Sequence, residues 1–134
     1  MPRERKKILL VEDNADVREL LALFIKRLGY EVYQAATGVE AVDRAATAHP
    51  DLIIMDFCLP GFSGIEATRR LKLNPSTKDI PVVIITGYNI DKSRALTVGA
   101  ADILRKPIDM TTFRALLRRY SLARTKTRRS RRKK

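Results

Sequence analysis

Four segments of the sequence end on residues that could do chemistry together. Glu12 and Asp13 follow the apolar run "KILLV", and Asp56 follows "DLIIM". Thr86 closes "PVVIIT", and Lys106 stands directly behind "ADILR". Three carboxylates brought to one place repel and desolvate one another unless a cation joins them. Hard oxygen ligands suit Mg²⁺ or Mn²⁺, and Mg²⁺ takes few protein carboxylates and keeps several waters. A metal alone does not account for Lys106. A lysine beside a bound cation makes sense where an anion enters between them, and a phosphoryl group is such an anion. The metal and Lys106 would neutralise its oxygens, and Thr86 would donate a hydrogen bond to one of them. Asp56 would then be the nucleophile and become an acyl phosphate.

Taken singly, each residue has an ordinary reading. Glu12 and Asp13 could cap the helix that follows, since Asp and Asn are good N-caps. Asp56 could be a loop acid, Thr86 a β-branched strand residue and Lys106 a solvated charge. What speaks against coincidence is that suitable types stand at the ends of four different segments. Pro60, Gly61 and Gly64 read as turn chemistry under either interpretation.

The elements that must position these residues are legible as alternation. Five short apolar runs, 7–12, 31–35, 51–55, 81–86 and 101–105, read as strands, several of them continuous as in parallel strands covered on both faces. Helix-like segments lie between them at 15–30, 38–49, 63–73 and 89–100, and a last one at 109–120. Val17, Leu20, Leu21, Phe24 and Leu28 recur at helical spacing in the first helix, and Gly29 stops it. Ala41, Val42 and Ala45 give the second a narrow face, while Phe113, Leu116, Leu117 and Tyr120 form the stripe of the last. The pattern predicts an α/β doubly wound (βα)₅ fold of the flavodoxin-like kind. Its central five-stranded parallel sheet would have order 2-1-3-4-5, with helices on both faces. That order makes the first, third, fourth and fifth strands neighbours and gathers Glu12, Asp13, Asp56, Thr86 and Lys106 at one edge.

Length and charge narrow the rest. A chain of 134 residues, 45% hydrophobic, suits one domain with one core. "ILLVE" meets an acid after four apolar residues, too soon for a secretory h-region of about 7–15, and the single cysteine, Cys58, has no disulfide partner in the chain. The expectation is a cytoplasmic protein without a membrane span. His49 has no second His or Cys for a zinc site and reads as structural. The net charge is +12, of which the last fourteen residues supply +8 and residues 1–120 only +4. Those fourteen hold Arg124, Lys126, Arg128, Arg129, Arg131, Arg132, Lys133 and Lys134 and no acid. With almost nothing to bury, residues 121–134 read as a disordered basic tail, and its charge suits non-specific nucleic acid.

The stretches "ILLVEDN", "DLIIMDFCLPGFSG", "VVIITG" and "GAADILRKP" together resemble the receiver domain of two-component response regulators, over residues 7–120. The resemblance implies a phosphorelay signalling receiver, not a conventional enzyme, with only limited self-phosphorylation and self-dephosphorylation. Asp56 would be the phosphoacceptor, served by a histidine kinase or histidine phosphotransfer protein. Asp13, Asp56 and the Cys58 backbone carbonyl would hold Mg²⁺, with Glu12 acting through water. Thr86 and Lys106 would contact the phosphoryl group, Cys58 and Tyr88 would flank the site, and Lys106–Pro107 is a candidate cis bond. The output would be a downstream protein target, read from a monomer or a phosphorylation-dependent dimer. One position departs from the family pattern: Ile103 stands three residues before the lysine, where the family usually has an aromatic switch residue.

Two rival readings fit less well. A phosphatase of the haloacid dehalogenase type wants a second acid two residues after its aspartate nucleophile, where this chain has Cys58. A flavodoxin-like flavin carrier wants a Ser-, Thr- and Gly-rich first turn, where "VEDNADV" would repel phosphate.

Overall fold

The computed structural model describes residues 5–87 and 92–132, with side chains as far as Leu122. Tyr88, Lys133 and Lys134 lie outside the described residues, as do the side chains of Arg124, Lys126, Arg128, Arg129, Arg131 and Arg132. The element order is β1 (Lys7–Val11), α1 (Ala15–Arg27), β2 (Glu31–Ala35), α2 (Gly38–Ala48), β3 (Leu52–Asp56), α3 (Gly64–Leu73), β4 (Val82–Thr86), α4 (Lys92–Thr97), β5 (Asp102–Arg105) and α5 (Met110–Arg132). The five strands form one parallel sheet in the order β2-β1-β3-β4-β5, as the alternation predicts.

The period of two along a strand divides the core. Leu9 and Val11 of β1 face one side, with Ile53, Met55, Val82 and Ile84, and are covered by Ala41 and Ala45 of α2, Ile65, Ala67 and Leu71 of α3 and Ala95 of α4. Ile8 and Leu10 face the other, with Leu52, Ile54, Val83 and Ile85, beneath Leu21, Ala22 and Ile25 of α1 and Phe113, Leu116 and Leu117 of α5. β3 and β4 are buried along their whole length because both faces are covered, which is why these strands read as unbroken apolar runs.

Two helices differ from their sequence reading. In α1 the stripe that reaches the core is Leu21, Ala22 and Ile25, with Phe24 and Leu28 partly buried. Val17 and Leu20 are 40% and 69% exposed. Successive helix residues are turned by about 100°, so Leu20 cannot share the centre of a face with Leu21. The last helix was expected to end at Tyr120, but α5 continues through the basic segment to Arg132. Residues 121–132 contain neither Gly nor Pro to stop a helix, and Arg and Lys are good helix formers.

Candidate functional site

The parallel order brings the carboxyl ends of β1, β3, β4 and β5 side by side, and a cleft of about 370 Å³ opens there. Glu12, Asp13, Asp56, Phe57, Cys58, Thr86, Gly87 and Lys106 line it. All five residues singled out from the sequence are therefore brought together. Glu12, Asp56 and Thr86 are buried, and Asp13 is exposed at the mouth. One oxygen from each of Glu12, Asp13 and Asp56 lies within 4.8 Å of the others. Lys106 Nζ stands 3.4 Å from Asp56 Oδ1 and 3.7 Å from Glu12 Oε1.

The backbone holds each group at its strand end. Glu12 N donates to Ala35 O of β2, and Arg18 of α1 clamps the same turn, Nη1 to Glu12 O at 2.9 Å and Nε to Gln34 Oε1 at 3.2 Å. Beyond Asp56, Phe57 N donates to Ile85 O of β4 at 2.8 Å. The Lys106 N–H reaches Thr86 O at 2.8 Å and so ties the lysine to the end of β4. The Lys106–Pro107 peptide is cis.

Helix capping does not account for the acid pair. The N-cap of α1 is Asn14, whose Oδ1 accepts from Val17 N at 3.0 Å. Glu12 Oε2 accepts from Asn14 N at 3.0 Å, which leaves its other oxygen toward Lys106.

The electrostatics of the cleft are strained in one direction. Burial pushes the Asp56 carboxyl above its ordinary value, opposed by Lys106 and by the Cys58 backbone N–H that donates to it, and assisted by Asp13. Burial also raises Glu12, against the Asn14 hydrogen bond and Lys106 and together with the charge of Asp56 and a side-chain hydrogen bond with Asp13. Lys106 thus brings one positive charge to three carboxylates. An all-oxygen donor set with surplus negative charge and an open side fits a hard divalent cation.

Sequence reading missed one residue outright. Gly64 reads both as turn chemistry and as part of the helix-like segment 63–73; it opens α3 after the Ser63 N-cap, and of Gly61 and Gly64 it is Gly61 that has a positive φ, at 83°. Gly64 is buried against the phosphoacceptor candidate: a Cβ there would run into the Asp56 carbonyl oxygen and lie 3.1 Å from Met55 Cγ. Its N–H donates to Phe57 O at 2.9 Å. A glycine at the first position of a helix, where almost any residue is tolerated, is the signal that could have found it.

Ile103 is half-buried beside the core of the α2–α3–α4 face and outside the residues that line the cleft. It pairs in register with Ile84, two residues before Thr86.

The model of the response regulator receiver domain matches residues 8–118. The chain is 40% identical over 120 residues to the phosphate regulon transcriptional regulatory protein PhoB of Pseudomonas aeruginosa, an alignment covering 85% of this chain and 52% of that protein. It is 36% identical over 117 residues to the polar-differentiation response regulator DivK of Brucella ovis, covering 86% of this chain and 95% of DivK. The chain thus spans about half the length of its PhoB relatives and nearly all of DivK. Among solved structures it is similar to the receiver domain of sensor histidine kinase PA1611 from Pseudomonas aeruginosa, with a TM-score of 0.80 and 31% identity over 88% of this chain and 98% of that one. That structure has a magnesium ion coordinated in its active site cleft.

Proposed function

The chain belongs to the response regulator receiver family, and from that premise we propose that Asp56 is its phosphoacceptor, supplied by a histidine kinase or a histidine phosphotransfer protein. The observation that carries this assignment is the convergence of Asp56 with Lys106, Glu12 and Asp13 in one cleft, from strand ends far apart in sequence.

An Asp56 carboxylate oxygen attacks the phosphorus of the donor's phosphohistidine. The new O–P bond forms as the P–N bond breaks, and the imidazole nitrogen leaves with the bonding electrons. Asp56 must be ionised for this. Burial opposes ionisation, and Lys106, 3.4 Å away, favours it. The lysine is 37% exposed and can follow the incoming oxygens toward the cleft mouth. Thr86, buried at the end of β4 and lining the cleft, would donate its hydroxyl to one of them. Asp13, Asp56 and the Cys58 carbonyl would hold a Mg²⁺ or Mn²⁺ ion, with Glu12 acting through water. When bound, the ion supplies charge neutralisation for the carboxylates and the transferred oxygens.

Phosphorylation replaces the single charge of the Asp56 carboxylate with an acyl phosphate carrying about 1.5–2 negative charges beside Thr86 and Lys106. The connection from β4 to α4 and the surface of α4, β5 and α5 are the elements that respond, and a downstream protein reads them. The chain's own catalysis is confined to accepting the group and losing it to water. The test is Asp56→Asn with a small phosphodonor and Mg²⁺, scored for acyl phosphate by mass spectrometry, with circular dichroism to confirm the fold. Loss of the modification is expected; undiminished labelling of the Asn variant rejects the assignment.

A further inference from the structure

The acidic cleft lies at the carboxyl edge of the sheet, and the basic charge lies elsewhere. α5 reaches the amino edge where it meets Leu28 and Tyr30, the residues between α1 and the start of β2. From Met110 to Arg132 it carries nine Arg and Lys and no acid. Arg114 and Arg118, one turn apart, line a recess of about 180 Å³ with Leu28 and Tyr30. The last turn of α1, which ends at this recess, adds Lys26 and Arg27. Among the described residues, neither Arg114 nor Arg118 is paired with a carboxylate.

The backbone of α5 stays helical beyond Leu122 into the basic segment. Ten further residues extend the helix by about 15 Å. They bring Arg124, Lys126, Arg128, Arg129, Arg131 and Arg132, in a segment without a large apolar residue. A helix that lies on a membrane needs an apolar face to insert, and this segment has none in its composition. Guanidinium groups instead match phosphate oxygens in paired hydrogen bonds. We propose that the amino-edge surface of α1 and α5, with Arg114 and Arg118 at its centre, binds the phosphate backbone of nucleic acid, and that the basic residues of the extension add to the same binding. Binding here is indifferent to sequence and driven by counterion release. It adds an activity at the edge opposite the phosphoacceptor and uses none of the residues of the cleft.

The test uses the full chain and a short fluorescent duplex DNA, with affinity read by anisotropy across a salt series. Six or more neutralised phosphates predict a loss of about 10³-fold between roughly 50 and 200 mM salt. Arg114→Gln with Arg118→Gln should weaken binding and make the log–log salt slope shallower by about 1.8, two phosphates' worth. A second full-length variant, with Arg128, Arg129, Arg131 and Arg132 each changed to Gln, separates the extension from the body of the domain. Circular dichroism and acyl phosphate formation check that both variants fold. An unchanged slope in the Arg114/Arg118 variant overturns the proposal. So does absence of binding by the unaltered chain at low salt, or tighter binding to phosphatidylserine vesicles than to DNA at equal salt.

Discussion

Gly64 lies so close beneath Asp56 that any side chain on it would occupy the space of the Asp56 carbonyl oxygen. The first turn of α3 is thereby pressed against the end of β3, and the position of the Asp56 carboxylate depends on a residue that carries no chemistry. Gly64→Ala forces Asp56 outward or α3 away from the sheet. Overpacking of this kind costs about 1–3 kcal/mol. Urea denaturation should show that loss, and acyl phosphate formation should fall with it. An alanine variant as stable and as readily phosphorylated as the parent would mean that the loop moves freely, contrary to its packing here.

The raised carboxyls of Asp56 and Glu12 have a consequence for stability. Burial favours the protonated form of each in the folded state. Their contribution to stability is therefore fully present below the ordinary carboxylate values of 3.8 and 4.5 and is lost as pH rises through the raised folded values. At neutral pH without metal the cleft carries the cost of a buried Asp56 charge, added to by Asp13, that Asp56→Asn removes. The Asn variant should melt higher than the parent, by about 3–6 °C if roughly 1 kcal/mol is relieved. Mg²⁺ should narrow the difference by stabilising the parent more. Calorimetry at acid and neutral pH, with and without Mg²⁺, checks it; a lower melting temperature for the metal-free Asn variant at neutral pH contradicts the assigned burial cost.

For metal binding, Asp13 and Glu12 should not be equivalent. Glu12 is buried, and its Oε2 is engaged by Asn14 N at 3.0 Å. Asp13 stands exposed at the cleft mouth. Asp13→Ala should weaken Mg²⁺ or Mn²⁺ binding by about tenfold or more, near 1.4 kcal/mol, and Glu12→Ala by less. Isothermal titration or Mn²⁺ relaxation measures both, and the reverse order would make Glu12 the direct ligand.

Glu66 provides an independent check on the surface of α3. Its carboxylate accepts from Arg69 at 2.7 and 3.0 Å and from Arg70 at 3.0 Å, which hold it at about 2. Any stabilisation it gives is present above the ordinary glutamate value and lost as pH falls through about 2. Side-chain carboxyl NMR should place its midpoint near that value. A midpoint in the ordinary range would show the two arginines dispersed in solvent. The pairs are exposed, so Glu66→Gln should barely alter the melting temperature.

The strands and the cleft were legible in the sequence for the same physical reason. Parallel strands covered on both faces must be apolar along their length, so Leu52–Met55 and Val82–Ile85 stand out, and a polar residue ending such a run is conspicuous. Asp56 and Thr86 stand out that way, and Lys106 by its place behind the last strand, an edge strand with polar ends. Facts that depend on how elements meet were not legible. The orientation of α1 is set by where Leu21 and Ile25 meet the sheet, and helical spacing alone admitted Val17 and Leu20. The role of Gly64 needs the Asp56 carbonyl next to it. The continuation of α5 past Tyr120 turns on backbone propensity, whereas the charge pattern of 121–134 suggested only a solvated tail.

Ile103 bears on how the phosphorylated state is transmitted. The side chain is half-buried and packs against the core cluster of the face that α2, α3 and α4 cover. Its β4 partner, Ile84, stands two residues from Thr86, and neither Ile84 nor Ile103 lines the cleft. An isoleucine has no ring to turn inward and no hydroxyl to change partners. Any response of α4 to phosphorylation is therefore expected to proceed without an aromatic rotamer change at position 103. Ile103→Tyr should leave the rate of acyl phosphate formation within about twofold, roughly 0.4 kcal/mol in barrier, because the cleft is untouched. It should alter the amide shifts of α4 and β5 that accompany phosphorylation, since a ring larger than the site must stand out from the surface or displace the residues packed around it. Two-dimensional NMR of the parent and the variant, before and after phosphorylation, reads both effects. Identical shift changes in the two proteins would take position 103 out of the output surface, and a phosphorylation rate reduced far beyond twofold would place it in the reaction itself.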